Sequence, residues 1–492
     1  MGKRRTGKRC SILLLTFLTA PFLIVPRSPV PQFPCSPFLH FPCSPVPPSV
    51  RASRDDATAV STTTREGRLT VFDDVWQTIH DRYYDPAFRG LDWNAQRTTF
   101  RALAAEATNS QELYRVLHRM VGSLNDAHTR VYAPEEKFDW WNPRFVSIGL
   151  ALSEVEGLPT VVQVEHGSAP ARAGVRPGDV IASVNGEPAS SLIQRRLTDQ
   201  SRLSARAAAS LRVVASLTEG APETSVELQW QGKNGKVKSA RFQRHWRQRQ
   251  LGLRIRSERR KYAVIVIDAF TQTIARDFAR AFREKLQGVR GIVIDLRENG
   301  GGDAEAMAEI ASTFLGPGIS LGQFSDRWGT NFKIATRAKS LFGPELIIQT
   351  KLPLIVLTSD RTSSAAEIFV SAFKMARRAT VIGSESCGCV LAIRTRHTLP
   401  DGGVLDVSEL DYRTAEGALL EGHGTRPDEI VMLERRDLYA GRDRALMTAL
   451  GRLERLRRGH HSDSRSYAPL KSPSDHSLRP HAMIHLGFRT RR

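Results

Sequence analysis

The sequence predicts a mixed α/β protein: a helical N-terminal segment, a small inserted β-rich domain, and a C-terminal α/β domain on a largely parallel sheet. Three observations carry this. Apolar residues recur at three- and four-residue spacing in "LTVFDDVWQTIHDRYYD" and "SQELYRVLHRMVGSL", as amphipathic helices require. Residues 146–240 hold short apolar runs broken by turn phrases such as Pro177-Gly178-Asp179 and Asn185-Gly186. From Lys261 onward the apolar runs "YAVIVIDAF", "GIVIDLR", "LPLIVLTSD" and "ATVIGSE" alternate with helical stretches, the rhythm of parallel strands covered by helices.

Taken in order, residues 1–25 join a cationic "KRRTGKR" to the apolar run Ser11–Val25, which is short and contains Pro21. That matches a secretory signal better than a membrane span, so we expect a signal peptide or anchor and an exported chain, periplasmic or extracellular. Residues 26–66 read as a Pro-rich linker with a duplicated "FPCSP", 67–140 as the helical segment ending in "LNDAHTRV", and 146–240 as the inserted domain. Residues 250–440 form the α/β domain, 441–458 a closing helix, and 459–492 a disordered basic tail.

With 41% hydrophobic and 25% charged residues the chain is ordinary globular protein. Its formal charge of +20 is concentrated at the ends, and the interior excess is scattered without a basic helix, so no nucleic-acid partner is expected. Five cysteines are too few for a disulfide scaffold, and the C-G-C of Cys387 and Cys389 is too sparse for a metal site. Neither a metal nor an organic cofactor is expected.

The segment "TSDRTSSAAEIF" (358–369) places two serines between an apolar strand and a helix. Ser364 and Glu367 have the S-x-x-E spacing of a capping box, which needs no chemistry. A nucleophilic serine would need a base, an orienter for that base, and backbone donors for an oxyanion. "NGGG" at 299–302 follows a buried strand and lets main-chain N–H groups approach a substrate. It lacks the G-K-[ST] ending of a phosphate loop. Asp295 and Arg297 beside it read as a brace for the loop.

The ordered set L-x-D-x-H-T, "GSAPARAGVRPGDVIASVNG", "IDLRENGGG", "SSAAEIF", "LPDGG" and "GHGTRPD" resembles the carboxyl-terminal processing (tail-specific) serine peptidase family over residues 68–435. The resemblance implies a crotonase- or ClpP-like catalytic domain with a PDZ-like domain inserted ahead of it. It makes Ser364 the nucleophile, with the N–H groups of Gly301 and Ala365 as oxyanion hole. Ser147, Ile148, Gly149 and Leu150 would then be the loop that binds peptide carboxylates. The chain departs from the family at the base. Cys389 stands where the processing branch has lysine, and a thiol of ordinary pKa cannot replace a desolvated lysine. No lysine occurs between Met375 and Thr398, and Lys374 is nearest. The tricorn-like branch instead takes an early histidine and a late glutamate, which fall here on His128 and Glu421, although Ala127 replaces the serine that precedes that histidine. His423 competes as base, Asp126 as a purely structural partner of His128, and Arg426 as a partner of Glu421. The activity implied is hydrolysis of unfolded or tail-exposed polypeptides, bound through their C-termini. The alternative is an inactive member that only holds peptide ligands through its PDZ-like domain.

Overall fold

The computed structural model describes residues 60–136, 144–199 and 206–463. The expected signal segment, nearly all of the linker and the tail beyond 463 lie outside the described residues. No helix among the described residues is long and apolar enough to cross a membrane.

The N-terminal helices Arg65–Arg82, Trp93–Glu106 and Ser110–Gly122 are each capped by a short polar side chain. Thr64 accepts from Gly67 N–H, Asp92 from Ala95 N–H and Asn109 from Glu112 N–H, satisfying donors that the first turn leaves open. Their apolar stripes (Phe72, Val75, Ile79, Leu113 and Leu117 among them) bury against Leu399, Leu405 and Val407 of the C-terminal domain. The helical segment is therefore part of that domain's core. After it, strand Arg130–Tyr132 pairs antiparallel with Val404–Arg413, with Arg130 opposite Asp406.

The inserted domain is a five-strand path, Leu150–Val155, Leu158–Val164, Val180–Val184, Ser225–Gln231 and Val237–Gln243, wrapped around Ile148, Val161, Ile181, Trp230 and Phe242. Leu150–Val155 is an edge strand of this path. A two-strand ribbon, Arg144–Ser147 with His245–Gln248, forms its neck.

The C-terminal domain holds a six-stranded sheet in the order Leu253–Glu258, Tyr262–Ile267, Ile292–Asp295, Leu354–Thr358, Thr380–Gly383, Glu429–Ile430. Only the first pair is antiparallel. Because side chains alternate along a strand, each continuous apolar run feeds two cores. Ile292, Ile294, Leu354 and Val356 meet helices Gln272–Lys285, Ala304–Leu315 and Ala365–Met375. Val293, Ile355 and Leu357 meet Leu446, Leu450 and Leu453 of the closing helix, which runs Arg444–Asp463, past the end that the sequence places at 458. The expected β-segments around Asp401 form a hairpin, Ala392–Thr398 with Val404–Arg413. Their sheet also takes in Ser320–Asp326 and Asn331–Ala335.

Candidate active site

The buried strand Leu354–Thr358 delivers the chain to Ser364, which caps helix Ala365–Met375 with φ 55° and ψ −127°. A β-carbon at positive φ costs on the order of 1–3 kcal/mol and persists only where the surroundings over-determine it. They do so here. Ser364 N–H donates to Cys389 O at 2.8 Å, Ser363 N–H to Asn299 O at 3.1 Å, and Thr362 Oγ1 to Leu296 O at 2.9 Å. The capping-box spacing is realised as well, with Ser364 N–H at 3.2 Å from Glu367 Oε2. Capping and a strained serine elbow coexist in one turn.

The glycine loop presses on this elbow. A β-carbon built on Gly301 would stand 2.6 Å from Ser364 Cβ and 3.0 Å from Ala365 N. Gly301 has φ +99°, so backbone conformation and close approach both require glycine there. The two expected oxyanion donors differ in state. Among the described residues the Ala365 N–H has no acceptor, being a first-turn donor that the helix leaves open. The Gly301 N–H is instead donated to Asn299 Oδ1 at 2.8 Å, so that donor is engaged in this structure. Asn299 is fully buried, and its amide donates to Ile267 O. Asp295 and Arg297 brace the loop: Arg297 grips Asp295 at 2.7 and 2.9 Å and Asp443 at 2.7 and 2.8 Å.

Glu367 does more than cap. It is wholly buried, and its carboxylate accepts from Ser386 Oγ (2.6 Å), Gly388 N–H (2.7 Å), Cys389 N–H (2.8 Å) and Ser364 N–H (3.2 Å). Burial pushes its pKa up to about 7, against the pull of those hydrogen bonds. Cys389 therefore meets the site through its backbone. Its sulfur is bonded to Cys387, so no free thiol stands in the lysine position. Lys374 is no substitute: its Nζ donates to Arg426 O at 2.6 Å and pairs with Asp428 at 3.1 Å.

His128 lies just before strand Arg130–Tyr132, whose pairing carries it into the C-terminal domain. Asp126 does not bind its ring. Asp126 Oδ1 accepts from the backbone N–H groups of His128 (2.8 Å) and Thr129 (2.6 Å) and from Ser408 Oγ (2.8 Å), fixing the loop to the sheet. The ring's Nδ1 is shut off from solvent and has no hydrogen-bond partner among the described residues. Burial lowers the imidazole pKa to about 4; Asp126 opposes the shift, while Arg130 and Arg212 add to it.

Glu421 is also buried. Its Oε2 accepts from Val390 N–H at 2.8 Å, next in the chain to Cys389, and its Oε1 lies 3.8 Å from Arg89, not against Arg426. Burial raises its pKa to about 7, and Asp126 adds to the rise. No hydrogen bond joins Glu421 to the His128 ring in this structure. His423 turns its Nδ1 to Glu421 O at 2.9 Å.

The loop Ser147–Leu150 leads into the edge strand Leu150–Val155. Ile148 is buried, Gly149 has φ +90°, and its N–H donates to Ser147 Oγ at 2.9 Å. Glu165 borders it, since a β-carbon on Gly149 would stand 2.9 Å from Glu165 Oε2, and Arg247 pairs with that carboxylate. From the turn that precedes Ser364, Arg361 donates to Leu152 O on the edge strand at 2.8 Å.

Sequence reasoning missed three groups. Arg89 sits at φ 58° inside the one-turn helix Phe88–Gly90 and reaches both Glu421 and Asn125 O. Arg212, on helix Arg206–Ala215 of the inserted domain, interacts with Asp126, Glu421 and His128. Neither carries a local motif. Glu367 had one, but the capping reading already accounted for it.

Three family descriptions match in chain order: the tricorn protease C1 domain at 65–122, a PDZ domain at 160–214 and peptidase family S41 at 261–431. The chain is 26% identical over 366 residues to a chloroplastic C-terminal processing peptidase of Tetradesmus obliquus, covering 73% of this chain and 76% of that protein. It is 27% identical over 395 residues to the chloroplastic carboxyl-terminal-processing peptidase 1 of Arabidopsis thaliana, covering 76% and 73%. The crystal structure of mature CPAF shares the fold, with a TM-score of 0.59 at 14% identity over 76% of this chain and 94% of that one.

Proposed function

This chain belongs to the carboxyl-terminal processing serine peptidases of family S41, and on that premise we propose an exported endopeptidase whose nucleophile is Ser364 and whose base is His128. The observation that carries the reading is the elbow: a serine at positive φ, on a helix N-terminus, pressed against a glycine loop. The positive end of the helix dipole favours the alkoxide that forms there.

The His128 ring, with its pKa held near 4, is neutral at pH 7, the state that accepts a proton. In the proposed cycle it takes the Ser364 hydroxyl proton as Oγ attacks the scissile carbonyl carbon. It returns that proton to the leaving amine, and a water molecule then hydrolyses the acyl-enzyme by the same route. Glu421 orients the ring through Nδ1. An unpartnered buried nitrogen costs on the order of 1–3 kcal/mol, so bringing Glu421 onto it relieves a penalty that the resting arrangement carries. Ala365 donates to the oxyanion, and Gly301 joins when Asn299 yields its N–H to the more negative oxygen. The lack of a lysine between Met375 and Thr398, with Lys374 tied to Arg426 and Asp428, supports histidine over a Ser–Lys pair.

Substrates enter as extended C-terminal tails that add to edge strand Leu150–Val155, with Ser147–Leu150 at the carboxylate end, displacing Arg361 from Leu152 O. The N-terminal cationic and apolar run supports export. The test is labelling by a fluorophosphonate, which reports an activated serine. Labelling that maps to Ser364 and falls by on the order of a hundredfold or more in His128→Ala is the expected result. A wild-type chain that takes no label, although folded, would leave only the peptide-holding role.

A further inference from the structure

The C-G-C turn is placed where nothing in the proposed chemistry calls for a disulfide. Cys387 and Cys389 are bonded to each other across Gly388, with Cα atoms 5.3 Å apart. That three-residue ring meets the elbow at Thr362, Ser364 and Glu367. Cys387 N–H donates to Thr362 O at 2.9 Å, and Cys389 O accepts the Ser364 N–H at 2.8 Å. The Gly388 and Cys389 N–H groups hold the buried Glu367 carboxylate, which in turn holds Ser364 N–H. On the far side Gly388 O accepts from Gly422 N–H at 2.8 Å, beside Glu421. A β-carbon on Gly388 would come within 2.9–3.1 Å of the 422–424 backbone, so the turn and that loop are in contact.

We infer that the Cys387–Cys389 bond is an exchangeable redox site that locks the nucleophile elbow, and that opening it switches the peptidase off. The inference rests on the reading of Ser364 as nucleophile. Cys387 is half-buried whereas Cys389 is 5% exposed, so an external dithiol meets Cys387 Sγ first. Its thiolate bonds to that sulfur, and the S–S electron pair leaves on Cys389, which takes up a proton. The reductant's second thiolate then attacks the mixed disulfide and departs as a cyclic disulfide, leaving two protein thiols and one oxidised reductant. Freed of the ring, the 386–390 turn loses the constraint that aims three donors at Glu367 and one acceptor at Ser364. A catalytic group displaced by about 1 Å loses on the order of a hundredfold in rate. In an oxidising compartment the bond persists and the elbow stays set. Cys389 thus matters as half of a clasp, and its removal is not silent, as its lack of a base role would imply.

The experiment uses the full chain poised with graded ratios of reduced to oxidised dithiothreitol, with the bond state of Cys387 and Cys389 verified by mass spectrometry. Two quantities are read: amide hydrogen exchange over 362–367 and 386–390, and fluorophosphonate labelling of Ser364. Breaking the bond is expected to speed exchange in both segments, to lower labelling on the order of a hundredfold, and to reverse on reoxidation. The variant carrying Cys387→Ser and Cys389→Ser is expected to match the reduced state and ignore the buffer. Exchange and labelling that stay unchanged with the bond shown to be broken would overturn the inference. Exchange that responds while neither state takes label removes the nucleophile reading and leaves the clasp standing; exchange that does not respond removes the clasp whatever the label does.

Discussion

Gly301→Ala tests the elbow most sharply because the geometry gives its size. The new β-carbon would lie 2.6 Å from Ser364 Cβ, about 0.8 Å short of the 3.4 Å at which ordinary contact begins. It would also sit 3.0 Å from the Ala365 nitrogen proposed as an oxyanion donor, and it would impose a β-carbon at φ +99°. Neither neighbour is a flexible side-chain end, so the elbow itself has to move by most of an ångström. A shift of that size costs on the order of a hundredfold in rate. The strained backbone adds about 1–3 kcal/mol of lost stability. Gly300→Ala is the control: its β-carbon would meet only Ser363 Oγ, at 3.9 Å. The assay is the second-order rate of fluorophosphonate labelling at a temperature where melting curves show both variants folded. Expected are a rate near wild type for Gly300→Ala and a hundredfold loss for Gly301→Ala. Equal rates in the two, or a Gly301→Ala protein as fast as wild type, would refute the placement of the reacting centre between loop and elbow.

The base assignment predicts a displaced acid limb: with the imidazole pKa near 4, labelling should hold steady down to about pH 5 and fall only as pH drops through 4, and a limb near 6.5 would exclude the buried ring. His423→Ala should leave that profile in place, whereas His128→Ala should abolish it. For stability the sign runs the other way at Glu421. Its folded pKa of about 7 lies above the ordinary 4.5, so wild type binds a proton there that the unfolded chain releases. Melting temperature of wild type relative to Glu421→Gln should therefore decline as pH rises from 4.5 to 7, which differential scanning fluorimetry over that range would check. Gly178→Ala should loosen the inserted domain: its β-carbon would stand 2.9 Å from the Tyr439 ring, where Arg435 donates to Gly178 O and Tyr439 to Asp179, so limited proteolysis at the domain's neck should accelerate without loss of the C-terminal core.

The parallel sheet was legible because its strands are buried on both faces and read as unbroken apolar runs. The inserted domain was legible through its turn chemistry, Pro177-Gly178-Asp179 above all. The elbow was only half legible. S-x-x-E announces a cap, and nothing in those four letters says that the capping glutamate is also the wholly buried anchor of a turn twenty residues on. Gly301 illustrates a different limit: spacing marks a close backbone approach but cannot reveal that Asn299, two residues earlier, already holds its N–H. Arg89 and Arg212 were out of reach altogether, since each enters the site from an element with no motif of its own.

The same distinction explains how an early histidine is tied into the C-terminal domain across an inserted one. The chain does not need that domain to carry His128 there. The helices before it share a core with Leu399, Leu405 and Val407, and Arg130–Tyr132 is zipped to Val404–Arg413 before the chain departs into the insertion. Asp126 Oδ1 then pins the His128 loop to that strand by accepting from Ser408 Oγ, while the carboxylate accepts three further donors from His128 and Thr129 of its own loop. Position is thus set by the sheet, while Arg212 brings a charge from the inserted domain to within reach of the ring. His128 belongs structurally to the C-terminal domain and electrostatically to both, so on the proposed assignment a change confined to Arg212 should move the acid limb of labelling without moving the fold. Arg212→Gln removes a cation that depresses the imidazole pKa and should shift that limb upward; an unmoved limb would place Arg212 outside the site's field.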